Sequence, residues 1–181
     1  MKLVYNEKMK KFIPYVILFI IGAIFLGFNA FHNNLWFDES YSMAIIQHGF
    51  IDVWKLTSLD VHPPLYYLML KIFTMIFGSG LVVARIFSII GALLLASLGF
   101  THLRKMFNDK VGFVFSFLAI FLPVVLSYAI EIRMYTWVAY FVALTAIYAY
   151  KFYLKNMGAD ASSLGGHKIR ADTRSAPTQY H

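Results

Sequence analysis

Leu65-Tyr66-Tyr67-Leu68-Met69-Leu70-Lys71-Ile72-Phe73-Thr74-Met75-Ile76-Phe77 is the stretch whose reading decides the topology of this chain. It is an apolar run broken by one lysine. As a helix it reaches roughly 20 Å, short of the ~30 Å hydrocarbon core of a bilayer. Four other apolar runs are long enough to cross: residues 12–31, 81–100, 111–130 and 136–153. If 65–77 stays on one side, then Lys2, Lys8, Lys10 and Lys11, the Arg104/Lys105/Lys110 loop, and Lys151 with Lys155 all share one face. If it crosses, the Arg104 group moves to the face opposite the N-terminal lysines. Cytoplasmic loops collect Lys and Arg, which favours the first arrangement. Residues 65–77 are therefore expected to form an interfacial helix, with Lys71 and the aromatic rings at headgroup depth.

The expected fold is all-α: a polytopic protein of the cell membrane with four transmembrane helices plus interfacial helices in the first external loop, 33–80. Both ends are then cytoplasmic. The chain of 181 residues is 60% hydrophobic and 18% aromatic but only 14% charged, more apolar surface than a soluble domain of this size can hide. Its net charge of +7 is concentrated at the ends of apolar runs, which points to membrane orientation and away from nucleic acid. With no cysteine, thiolate chemistry and Cys-ligated metals are excluded. The first run is longer than a signal-peptide core, and Phe28 interrupts the small-residue pattern that cleavage needs, so it reads as an uncleaved span. Residues 1–156 form the transmembrane part. Residues 157–181, rich in Gly, Ala, Ser, Thr and charge, read as a disordered or foreign C-terminal tail.

On this topology three polar clusters meet at the external surface. The first is Asp38-Glu39, just beyond the first span. Adjacent carboxylates there fit two readings: a cap on the helix starting near Ser40, or a general base in a partly dry pocket. The second is Asp60-Val61-His62-Pro63-Pro64. The prolines mark a helix start, and a rigid entry would aim Asp60 and His62 at one point. The third is Glu131-Ile132-Arg133-Met134-Tyr135, which Arg85 at the start of the second span can join. Arginine offers a planar fork of donors to a lipid phosphate, but interfacial arginines also snorkel and tyrosines anchor. His32, His48 and His102 have no ligand-like spacing, and no phosphate loop, serine elbow or zinc motif is present. Gly22, Gly27, Gly91 and Gly99 suit helix packing.

Taken together, these residues resemble the polyprenyl-phosphate-dependent membrane glycosyltransferases of the GT-C fold. That family includes the protein O-mannosyltransferases and the lipid A aminoarabinose transferases. The matching pieces are Phe37-Asp38-Glu39-Ser40, Asp60-Val61-His62-Pro63-Pro64-Leu65, Ala84-Arg85-Ile86-Phe87-Ser88 and Glu131-Ile132-Arg133-Met134-Tyr135. The aminoarabinose-transferase relatives carry an acid and a lysine directly before the two prolines. Val61 and His62 stand there in this chain, with Asp60 one step earlier, which looks more like the mannosyltransferase pattern, and the donor sugar is carried over from neither group.

The resemblance implies inverting transfer of a sugar from a polyprenyl-phosphate donor to an extracytoplasmic acceptor. By it Asp38 is the catalytic base and Glu39 its catalytic neighbour. Asp60, His62, Arg85, Glu131, Arg133 and Tyr135 bind substrate, with His62, Arg133 and Arg85 on the leaving phosphate. The implied partners are membrane lipid and the lipid-linked sugar. Relatives differ in their need for a divalent metal, and no ligand cluster marks one here. Family members continue through further spans, so the chain is expected to be the N-terminal part of such an enzyme. The rival reading is a non-catalytic four-span protein that binds a lipid phosphate or a partner protein.

Overall fold

The computed structural model describes residues 2–32, 34–60 and 62–164, with side chains over 12–31, 34–60 and 62–156. The side chains of the N-terminal lysines and of His32, together with Val61 and residues 165–181 of the expected tail, lie outside the described residues. The fold is all-α. Its helices are α1 (Lys2–His32), α2 (Phe37–Ile45), α3 (Phe50–Ser58), α4 (Pro64–Phe77), α5 (Leu81–Leu98), a π-helical turn (Gly99–Leu103), α6 (Arg104–Met106), α7 (Asp109–Phe121), α8 (Pro123–Ile130) and α9 (Tyr135–Leu164). The chain divides into two compact units, 1–145 and 146–181, with the boundary inside α9.

Three helical stretches are long and apolar enough to cross a membrane: Phe12–Phe31, Leu81–Met106 and Tyr135–Asn156. The fourth expected span, 111–130, is broken. α7 and α8 meet at a bend of 57°, and together they pass the length test for one crossing. Pro123 is the cause. Its ring removes a helical N–H and clashes with the preceding turn, and it drives Leu122 into an extended conformation, ψ 126°. The stretch expected to stay uncrossed folds into α2, α3 and α4, of 9, 9 and 14 residues, none of spanning length. Pro63 and Pro64 open α4 as the sequence leads one to expect, with Pro64 in the first turn, where a missing N–H costs nothing. Gly78 closes it at φ 106°, a region side chains avoid.

Two apolar clusters hold unit 1 together. One joins α1, α5, α7 and α8 through Leu18, Leu26, Ile89, Ala92, Ala96, Ala119, Ile120 and Ala129. The other packs α2, α3 and α4 onto the start of α5 through Ile45, Val53, Tyr67, Leu70, Ala84 and Phe87, with Ile132. Ile13, Ile17, Ile20, Ile24 and Phe28 of α1 are exposed, a stripe that lipid can solvate and water cannot. Side-chain donors tie the helices to one another. Ser116 donates to the Ala96 carbonyl at 2.7 Å, Thr136 to that of Ser88 at 2.8 Å, and the Trp137 indole to that of Phe87 at 2.9 Å.

Gly99 and Gly112 let the π-helical turn and α7 touch backbone to backbone. A Cβ on Gly99 would collide with the Gly112 carbonyl oxygen and with Ser116 Oγ. Backbone cannot step aside as a side-chain tip can. Gly99→Ala is therefore expected to destabilise the protein by about 1–3 kcal/mol, read as a lowered unfolding midpoint in detergent. Gly27→Ala serves as the control, because a Cβ at Gly27 meets nothing within 4 Å.

Candidate functional site

The polar clusters of the sequence converge where α1, α5, α8 and the start of α9 end on one side of the bundle. Two ion pairs organise the place, and each takes one of the adjacent carboxylates. Successive residues on a helix point about 100° apart, so Asp38 and Glu39, on the first turn of α2, face different surroundings.

Glu39 turns inward. Its side chain is 1% exposed and that of its partner Arg85 is 2% exposed. The pair is bidentate: Arg85 Nε donates to Oε1 at 2.9 Å and Nη2 to Oε2 at 2.7 Å. The rest of the guanidinium closes over the end of α1, with Nη1 donating to the Ala30 carbonyl at 2.8 Å and Nη2 to that of Asn34 at 2.9 Å. Glu39 also accepts from the Trp36 N–H and the Ile132 N–H, both at 3.2 Å. The first of these is the return half of a capping box. One buried pair thus fastens the end of α1, the start of α2, the start of α5 and the 131–134 turn. Such a pair is tolerated in a dry interior only when its lone pairs and protons are this fully met.

Asp38 turns outward and is 60% exposed. Its Oδ2 sits 2.8 Å from Nη2 of Arg133, whose side chain is only 7% exposed. Nη1 of Arg133 lies 2.8 Å from His62 Nε2 and donates to the Tyr67 hydroxyl at 3.4 Å. His62 Nδ1 is 2.7 Å from Asp60 Oδ2, which also accepts from the Tyr41 hydroxyl at 2.7 Å. Arginine can only donate, so Nε2 of His62 must supply the lone pair and Nδ1 the proton to Asp60. The result is a continuous chain from Tyr41 through Asp60, His62 and Arg133 to Asp38. The Asp60 carboxylate, with some help from burial, pushes the Tyr41 phenol up to about 12, so Tyr41 remains a donor. Burial alone would lower the Arg133 guanidinium, but hydrogen bonds to Asp38 and Tyr67 outweigh it and leave it raised and charged. One donor of this network is unused: Arg133 Nε is buried and has no hydrogen-bond partner among the described residues.

Glu131 stands apart from both pairs. It lines an open cavity of about 120 Å³ with Trp36, Glu39, Arg85, Ser127 and Ile130. Burial, and then the Glu39 charge, raise its carboxyl from its ordinary value, while Arg133 pulls the other way. Tyr135 is not drawn into the network. Its ring packs edge-on against Tyr128, with centroids 4.8 Å apart. Tyr41 and Tyr67 are members that reading the sequence did not single out. Tyr41 follows Asp38 by one helical turn, the spacing that places two residues on one face, and Tyr67 lies within the His62-Pro63-Pro64-Leu65-Tyr66-Tyr67 run. Among the described residues no group of three or more His, Asp or Glu side chains is arranged to hold a metal ion.

Fold and site define an all-α polytopic membrane protein with a charged, arginine-centred site at one end of its spans. Comparison with known families matches residues 61–164, more than half of the chain, to the dolichyl-phosphate-mannose-protein mannosyltransferases, and the chain belongs to that family, which is of the GT-C type. The match includes His62, Arg85, Glu131, Arg133 and Tyr135 and begins after Asp38, Glu39 and Asp60. No curated protein and no solved structure matches.

Proposed function

We propose that this chain carries the site at which a sugar is transferred, with inversion, from a polyprenyl phosphate to a hydroxyl acceptor on the extracytoplasmic side. The observation that carries the reading is the pairing of an exposed carboxylate, Asp38, with a buried arginine that holds one donor in reserve. The Nε–Nη2 edge of a guanidinium is a fork that matches two phosphate oxygens. Among the described residues Nε has no partner and Nη2 is paired with Asp38. A donor phosphate taking this edge displaces Asp38, which is then free to act as base. The acceptor hydroxyl gives its proton to Asp38 as its oxygen bonds to the anomeric carbon. The bond from that carbon to the phosphate oxygen breaks, and its electron pair leaves on the phosphate, where Arg133 meets the charge.

His62 and Asp60 position Arg133 from behind, since the imidazole accepts from Nη1 and is itself oriented by Asp60. The family resemblance would let Glu39 and Arg85 touch substrate. Their mutual saturation instead supports a positioning role, holding α2 so that Asp38 faces Arg133.

Titration of the purified chain in nanodiscs with mannosyl polyprenyl phosphate tests this reading. Arg133→Ala is expected to weaken binding by about 10- to 100-fold, the value of a charge-assisted fork, and His62→Ala by less. Unchanged affinity in folded Arg133→Ala protein would remove the arginine, and with it this assignment of the donor site.

A further inference from the structure

The end of unit 1 opposite the candidate site holds a cavity that the proposed chemistry does not use. It lies between α1 and the π-helical turn, is lined by Phe12, Tyr15, Val16, Phe19, Ile20 and Phe100, and has a volume of about 270 Å³. Roughly 27 Å of helix separates Phe12 from Ala30, whose carbonyl Arg85 holds, close to the ~30 Å depth of a bilayer core. The walls are hydrocarbon and aromatic ring. The one hydroxyl among them, on Tyr15, donates to the Asp109 carbonyl at 3.1 Å.

Arg104 folds over these rings. Its guanidinium lies 4.6 Å from the Phe100 ring centroid and 6.0 Å from that of Tyr15, a cation held on aromatic faces. The π-helical turn produces this placement, with Phe100 inside it and Arg104 directly after it. Such turns interrupt a helix at a cost and often mark a functional position. Arg104 Nε is 3.5 Å from Asp109 Oδ1, too long for a strong hydrogen bond. Residues 104–110 set Arg104, Lys105 and Lys110 against the single carboxylate of Asp109, and Lys10 and Lys11 directly precede Phe12 in the sequence. The rim of the cavity is therefore net positive.

A basic loop that only fixes orientation needs charge and no cavity. A snorkelling arginine keeps its head in water, whereas the Arg104 side chain is 25% exposed and lies against two rings. A water-soluble anion would answer the rim and leave the apolar cavity unfilled. A neutral apolar molecule would fill the cavity and leave the charge unanswered. An amphiphile with an anionic head and a hydrocarbon chain meets both, and the bilayer supplies it at high local concentration. Basic pockets between transmembrane helices bind anionic headgroups in this way. We infer that the cavity between α1 and the π-helical turn seats one acyl chain of an anionic phospholipid, with the lipid phosphate against Arg104, Lys105 and Lys110. The charge rule assigns this end to the cytoplasmic leaflet. The site does not depend on the transferase reading.

Native mass spectrometry of the full chain, released from detergent containing dioleoyl phosphatidylglycerol or dioleoyl phosphatidylcholine, tests the inference. The two lipids share their chains and differ in net charge. One phosphatidylglycerol per chain is expected to be retained about 10- to 100-fold more strongly than phosphatidylcholine. Lys105→Gln and Lys110→Gln, at exposed positions, should each cut that preference about fivefold, the worth of one charge near a membrane surface. Val16→Trp fills the cavity from a lipid-exposed position and should weaken retention of both lipids about tenfold. An unchanged unfolding midpoint in lipid-free detergent separates a blocked cavity from a damaged fold.

Equal retention of the two lipids, or unchanged retention in the variants, would overturn the inference. So would a dimer that phosphatidylglycerol does not disperse and Val16→Trp does, since a second copy would then fill the cavity. Titration of the same variants with mannosyl polyprenyl phosphate reads the Arg133 edge separately. Lost phosphatidylglycerol retention beside unchanged donor affinity is the expected pair of results.

Discussion

Arg85→Ala is expected to destabilise the protein by about 3–5 kcal/mol, more than any other single change considered, because it strands a buried carboxylate. Glu39 would keep only the Trp36 and Ile132 N–H groups, and the Ala30 and Asn34 carbonyls would each lose a donor. The damage should spread to the site, since the same pair ties α2 to the 131–134 turn that bears Arg133. Thermal unfolding in detergent measures the loss. The informative comparison is the double variant Arg85→Met/Glu39→Leu. If the penalty comes from an unpaired buried charge, removing both partners recovers a large part of it. A double variant no more stable than Arg85→Ala would place the cost elsewhere, in the shape of the guanidinium rather than its charge.

Asp38→Asn should leave folding nearly untouched and lower sugar transfer by about 10²–10⁴-fold, the usual worth of a general base. Folding is spared because the side chain is 60% exposed and asparagine fits the same position on the first turn of α2. Donor binding should hold steady or tighten, because the carboxylate no longer competes with phosphate for Arg133 Nη2. Loss of turnover with retained donor affinity is what a base predicts and a merely structural residue does not. Near-normal turnover in this variant would take Asp38 out of the mechanism.

Much of the fold is legible in the sequence because a bilayer imposes coarse rules. Apolar length marks the spans, and charge asymmetry argues that 65–77 stays on one side. Three of the four expected spans stand as single helices, and the short run is a 14-residue helix. The break at Pro123 was legible too, in a proline inside a helical run, but length and hydropathy average over one residue and so pass it by.

The membership of the site was largely legible as well, for a similar reason: charge beside an apolar run is costly, so each polar cluster announces itself. What the sequence by itself determined is the set of apolar helices and the short list of charged residues at their ends. What only the tertiary structure decided is the pairing. Asp38 and Glu39 are neighbours in sequence, yet one meets Arg133 in an open network and the other meets Arg85 in a sealed one. Arg85 and Arg133 lie far along the chain, and either is chemically fit for either carboxylate. The choice depends on the rotation of α2 about its axis, which is set by the packing of Ile45 against α4 and α5 and by the Glu39 bond to Ile132. Tyr135 went to Tyr128, while Tyr41 and Tyr67 joined the network, by the same logic. Composition selects which side chains can form a bond, and three-dimensional packing alone brings a particular donor within 3 Å of a particular acceptor.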